Sequence, residues 1–151
     1  MLFYLVAIFI VLLDQFTKFV VVSNMELYES IPIIDGWLHI TSVRNTGAAF
    51  SILENQTLIF IVLALVVALV LIYSIYRVYR EYRLLAFFLS IILGGAVGNL
   101  IDRILHGAVI DFIDMRIINF AIFNVADIAI TVGTGLLILY ILFSKKNKFL
   151  N

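Results

Sequence analysis

Cysteine is absent from this 151-residue chain, which removes disulfides, thiolate nucleophiles and thiolate metal sites from consideration. Histidine occurs only twice, as His39 and His106, and neither has a second ligand at helical spacing, so a metallohydrolase is disfavoured. Both read more simply as interfacial or turn residues. Charged residues make up 13% of the sequence against 64% hydrophobic, and the mean hydropathy is +1.17. So few polar groups cannot coat the core of a soluble domain, and lipid must take their place. The formal net charge is zero and the basic residues stand in small groups beside apolar runs, which argues against nucleic acid as a partner.

What is abundant is apolar sequence in long runs. Four stretches are long enough for a hydrocarbon core that needs about 20 helical residues. They run from Leu2 to Val22, Thr57 to Tyr76, Leu84 to Leu105 and Val125 to Phe143. The first has no basic leader, carries Asp14 and Lys18 inside it and lacks a small-residue cleavage site near Ser23, so it reads as a span and not as a secretory signal. Arg77, Arg80 and Arg83 lie between spans two and three, and Lys145, Lys146 and Lys148 follow span four. By the positive-inside rule both termini are cytoplasmic, and the segments Ser23–Gln56 and His106–Asn124 face the other side. The first of these holds the β-branched and aromatic run Trp37 to Val43, closed by the turn residues Asn45-Thr46-Gly47. A small sheet lying on the membrane is expected there, in a chain that forms one domain.

Charged residues inside a span cost about 2.5 to 3.5 kcal/mol each on insertion scales, so each needs a partner or a task. Asp14 and Lys18 are four apart and suit an intrahelical ion pair that eases insertion, with Lys18 able to snorkel outward. Gly94 and Gly98 form a small-residue stripe in span three, and Ala129 and Gly133 repeat the spacing in span four, which predicts close packing of these two helices. Asn99 and Arg103 share a face near the outer end of span three, fit to hold a carbonyl or carboxylate, although Arg103 could instead pair with an acid within the bundle. Asp111 stands in the apolar run Val109 to Ile113 and could be an ordinary interfacial loop acid. Asn124 and Asp127 at the start of span four could be its N-cap and N3 residues. Together, however, Asp111 and Asp127 are what an aspartic hydrolase requires, since neighbouring carboxyls share one proton and divide the roles of acid and base. Asp114, three residues from Asp111, reads as a solvated loop acid. A competing reading is a small transporter with Asp14, Lys18, Asp102 and Arg103 as an ion or proton relay, which would spread ionisable residues through the membrane depth.

Five blocks in order give a more specific indication. They are Asp14-Gln15-Phe16-Thr17-Lys18, Asn45-Thr46-Gly47-Ala48-Ala49-Phe50, Gly94 through Arg103, Val109 to Phe112 and Phe123 to Asp127. With these the chain resembles the lipoprotein signal peptidases, the type II signal peptidases of bacterial inner membranes, over its whole length. The resemblance implies an all-α membrane protein of four transmembrane helices with a small extracytoplasmic β-cradle and a short helix. It implies an aspartyl endopeptidase that removes the signal peptide of a prolipoprotein on the amino side of a cysteine carrying diacylglycerol. By the same resemblance Asp111 and Asp127 are catalytic, Asn45, Asn99, Arg103 and Asn124 hold the substrate, and Asp14, Lys18 and Asp102 support the site. It implies lipid-modified prolipoproteins and membrane lipid as partners, and a monomer that calls for neither metal nor cofactor is expected.

Overall fold

The computed structural model describes residues 2–47, 56–118 and 120–148. Helix α1 spans Leu2–Asn24, α2 Thr57–Val78, α3 Arg83–His106 and α4 Val125–Lys148. Each is long and apolar enough to cross a membrane, and each expected span falls within one of them. Half of the α3 span is buried, against 22% for α1, 11% for α2 and 17% for α4, so α3 is the central helix and the others present most of their surface to lipid. Glycines permit this. A side chain at Gly94 would strike Ile10 and the Ala7 carbonyl of α1, and one at Gly95 would strike the Ala126 carbonyl and Ile130 of α4. The expected pairing of spans three and four is therefore present, but it rests on Gly95 and on Gly133 against Ile92. Gly94 serves α1, and Gly98 lies between Asp14 and Ala126. At the other end of the bundle Ala7, Ala68, Leu71, Ile75, Ala86, Leu89 and Leu93 form the apolar core.

Strands β1 (Ser30–Ile34) and β2 (Leu38–Asn45) form a hairpin through Asp35 and Gly36, the latter with φ of 71°. The expected sheet has a third strand, β3 (Val109–Met115), antiparallel to β2 with Val43 opposite Asp111 and Asn45 opposite Val109. The register slips between Ile40 and Val43, a bulge on β2. Asp111 is thus a strand residue, because Val109, Ile110, Phe112 and Ile113 are good strand formers with a neighbouring edge to pair with. The segment beyond β3 turns back so that Phe123 pairs with Ile113, delivering Asn124 and the start of α4 beside β3.

Two expectations are corrected. Asp114 is no solvated loop acid: it is buried in β3, accepting hydrogen bonds from Thr41 at 2.8 Å and Arg116 at 2.9 Å. Lys18 does not snorkel. It is 1% exposed, and its ammonium lies 2.8 Å from both Asp14 and Asp102, since two buried carboxylates outbid a distant water interface. Of the short helix expected outside the membrane, the described residues show one 3₁₀ turn, Arg116–Ile118 after β3, and residues 48–55 lie outside those described.

Candidate active site

Asp111 and Asp127 line one cavity of about 430 Å³ at the sheet end of the bundle, together with Asn45, Asn99, Arg103 and the apolar side chains of Phe123, Ile128 and Val132. Strand alternation aims Asp111 and Asn45 into it, from directly facing strands. Asp127 enters from the first turn of α4. There Asn124 and Asp127 cap the helix reciprocally: the Asp127 N–H donates to Asn124 Oδ1 at 2.9 Å and the Asn124 N–H to Asp127 Oδ2 at 3.2 Å. The capping role and the place in the cavity are both real.

Three amides sew the carboxylates together. Asn124 Nδ2 donates to Asp111 Oδ1 at 2.6 Å, and Asn45 Nδ2 to Asp111 Oδ2 at 3.0 Å. Asn99 Nδ2 donates to Asp127 Oδ1 at 2.8 Å. The Asn99 carbonyl oxygen accepts from Asn124 Nδ2 and from Lys18 Nζ, each at 3.1 Å, so the orientation of its amide is fixed from behind. Burial pushes the Asp111 carboxyl up to about 6, more strongly than the Asn45 hydrogen bond pulls it down, and the Asp127 charge acts in the same raising direction.

Asp14, Lys18 and Asp102 lie behind the cavity. Asp14 Oδ1 accepts the backbone N–H of Ala126 at 2.9 Å, and Asp102 Oδ2 that of Ile110 at 3.0 Å. Each of these residues immediately precedes a cavity aspartate. The Lys18 ammonium bridges Asp14 and Asp102, while Gln15, to which no role was assigned from sequence, donates to Asp102 Oδ1 at 2.9 Å and to the Gly98 carbonyl at 3.2 Å. Arg103 has no ion pair among the described residues. Its guanidinium lies over the Phe60 ring of α2, 5.1 Å from the centroid, and donates to the backbone carbonyls of Gly47 and Asn99 at 3.4 Å. Phe60 could not be found from sequence, because nothing distinguishes it from the lipid-facing residues of span two. The structure therefore brings all nine sequence-predicted site residues into one connected region.

A helical membrane scaffold that holds two carboxyls against an apolar, lipid-side cleft defines the class of integral-membrane hydrolases, and comparison with known proteins narrows it. The family profile described as signal peptidase (SPase) II matches residues 6–143, and the chain belongs to that family. It is 50% identical over 147 residues to a lipoprotein signal peptidase of Brevibacillus brevis, covering 97% of this chain and 99% of that one. It is likewise 50% identical over 145 residues to a lipoprotein signal peptidase of Shouchella clausii, covering 96% and 95%. Among solved structures it is similar to a bacterial membrane enzyme determined by the in meso method at 2.3 Å resolution, with a TM-score of 0.85 and 36% identity over 95% of this chain and 89% of that one. It is thus a multi-pass bacterial membrane protein and a peptidase.

Proposed function

We propose that this peptidase cleaves the signal peptide from diacylglyceryl-modified prolipoproteins on the amino side of the lipidated cysteine, with Asp111 and Asp127 as its catalytic pair. The observation that carries the reading is the shared cavity in which Asn99 and Asn124 link both carboxyls. With one proton between them, the ionised carboxylate takes a proton from water as the water oxygen attacks the scissile carbonyl. The protonated partner gives its proton to the carbonyl oxygen. Collapse of the tetrahedral intermediate breaks the C–N bond: the leaving amine takes the proton held by the first carboxyl, and the second carboxylate takes back a hydroxyl proton, which restores the pair. Arg103 and the amides of Asn45, Asn99 and Asn124 hold the substrate backbone, while the apolar wall at Phe123, Ile128 and Val132 accommodates acyl chains.

Asp14, Lys18 and Asp102 act through the backbone. Because Ala126 and Ile110 are gripped by carboxylates that one ammonium joins, the trio fixes where the two catalytic residues start from their elements. Both termini are cytoplasmic and the cavity opens on the extracytoplasmic face, as the arginines between α2 and α3 and the lysines at the end of α4 support. One chain supplies every residue of the site, consistent with a monomer.

The test is cleavage of a diacylglyceryl-modified prolipoprotein by purified protein in detergent. Release of the signal peptide, abolished in Asp111→Asn and in Asp127→Asn, is expected. A folded protein that leaves this substrate intact, or cuts it without either aspartate, refutes the proposal.

A further inference from the structure

Strand alternation builds a second cavity behind the first. On β2 Asn45 faces the catalytic cavity while Arg44 faces the opposite way, and on β3 Asp111 and Ile110 divide likewise. Arg44 and Ile110 are directly paired, and with His106, Ala108, Phe19 and Val22 they line a cavity of about 450 Å³ between α1, the end of α3 and the sheet. Gln15 and Lys18 reach its floor.

We propose that this cavity binds an anionic glycerophospholipid, its phosphodiester between Arg44 and His106 and an acyl chain against Phe19 and Val22. Neither Arg44 nor His106 has a carboxylate partner among the described residues; the Arg44 guanidinium reaches only its neighbour's carbonyl, that of Val43, at 3.4 Å. A cation and a ring N–H are thus left facing a cavity with no counter-charge on its rim. The floor does not supply one. Asp14 and Asp102 are committed to Lys18, Gln15 and the N–H groups of Ala126 and Ile110.

The wall selects lipid over a soluble anion. Phe19 and Val22 are 67% and 43% exposed on a membrane-spanning helix. Val22 lies two residues and Phe19 five before the helix end at Asn24, so at about 1.5 Å per residue they sit roughly 3 and 7 Å below it. His106 is the last residue of α3 and Arg44 the last but one of β2, so both stand at the sheet end of the bundle. Polar groups that match a phosphodiester thus share one cavity with apolar ones that match its chain. A zwitterionic headgroup would bring its own cation beside Arg44, which favours a net negative lipid.

The inference is independent of the proposed catalytic chemistry, and its readout is binding. Purified full-length protein in detergent is titrated with dioleoylphosphatidylglycerol or dioleoylphosphatidylcholine, and bound lipid is counted by native mass spectrometry. The arginines between α2 and α3 also attract anionic lipid, so the decisive comparison is with Arg44→Gln/His106→Gln, two substitutions at positions that are half-buried and exposed. Wild type is expected to retain one phosphatidylglycerol about tenfold more tightly than this variant, with equal retention of phosphatidylcholine and an unchanged Tm. If the double variant is unstable, the exposed single change His106→Gln is expected to give a smaller loss of the same selectivity. Equal binding of the two lipids, or undiminished selectivity in a folded variant, overturns the proposal. Displacement of the lipid by millimolar inorganic phosphate overturns its lipid specificity.

Discussion

Replacing Asp127 with asparagine separates the two things its carboxylate does, and the geometry sets the expected size of each effect. Asp127 accepts from Asn99 on one oxygen and from the Asn124 backbone on the other. An amide has only one oxygen, so one of these donors must face an NH2 group. Asn99 cannot turn over to relieve the conflict, because its own oxygen already receives Lys18 and Asn124. The amide oxygen of the variant will therefore point to Asn99, and the bond lost is the 3.2 Å cap from Asn124. The stability cost is about 1 kcal/mol, the size of one unmade hydrogen bond, because the N-cap bond from the Asp127 N–H to Asn124 Oδ1 is kept. The rate should fall by a factor on the order of 10³ or more, since an amide neither accepts nor delivers the proton. Thermal unfolding in detergent and single-turnover cleavage of prolipoprotein measure the two effects on one sample. A folded Asp127→Asn protein cleaving within tenfold of wild type would show that Asp127 only caps α4. A double variant with Asp111→Asn should lose little more than either single one, because the carboxyls act as a unit.

Four further outcomes are expected. Lys18→Met strands two buried carboxylates and should cost about 3 to 5 kcal/mol, with the triple change that adds Asp14→Asn and Asp102→Asn recovering much of it in Tm. Folded Asp111 holds its proton up to about pH 6 where the unfolded chain releases it near 3.8. Its contribution thus favours folding below pH 3.8 and declines as the pH rises through 6, by about 3 kcal/mol in all; Asp111→Asn should remove that slope from Tm against pH, and an unchanged slope would refute the assignment. Asp114 lies on the opposite sheet face, where burial raises its pKa but hydrogen bonds from Thr41 and Arg116 more than compensate; Asp114→Asn should cost about 1 kcal/mol in stability and leave kcat within a few-fold. Reporter fusions at Glu81 and Lys146 should read cytoplasmic and one at Ile118 extracytoplasmic, and the inverse pattern would put the carboxyls on the wrong side.

The spans were legible because each apolar run matches the bilayer thickness, and their helices extend past the expected limits by only a few residues. The residues of the candidate site were legible because carboxylates, amides and a guanidinium stand out against lipid-facing sequence. What stayed hidden depends on pairing across the chain. Val109 to Met115 reads as an apolar loop until β2 is there to pair with it. Asp114 therefore looked solvated, and Lys18 looked free to reach the interface because Asp102 is 84 positions away in the sequence. Gly95 was overlooked because the stripe at Gly94 and Gly98 has the regular spacing, while contact with α4 falls one residue later.

The bulge on β2 carries a burden out of proportion to its size. Thr41 and Ser42 together fill the space opposite Phe112, and Thr41 is held by Asp114 while Ser42 is held by the backbone of Tyr28 and Glu29. If both instead entered a regular ladder, the register set at Leu38 and Met115 would carry Ser42 opposite Asp111, a one-residue slide that turns every later side chain of β2 to the other face. Arg44 would then enter the cavity of Asp111 and Asp127, and Asn45 would face the second cavity. The sheet would keep its hydrogen bonds and the bundle its packing, yet the carboxyl pair would gain a cation and lose an amide. In this protein the sign of the charge beside the carboxyl pair is set by counting residues along a strand.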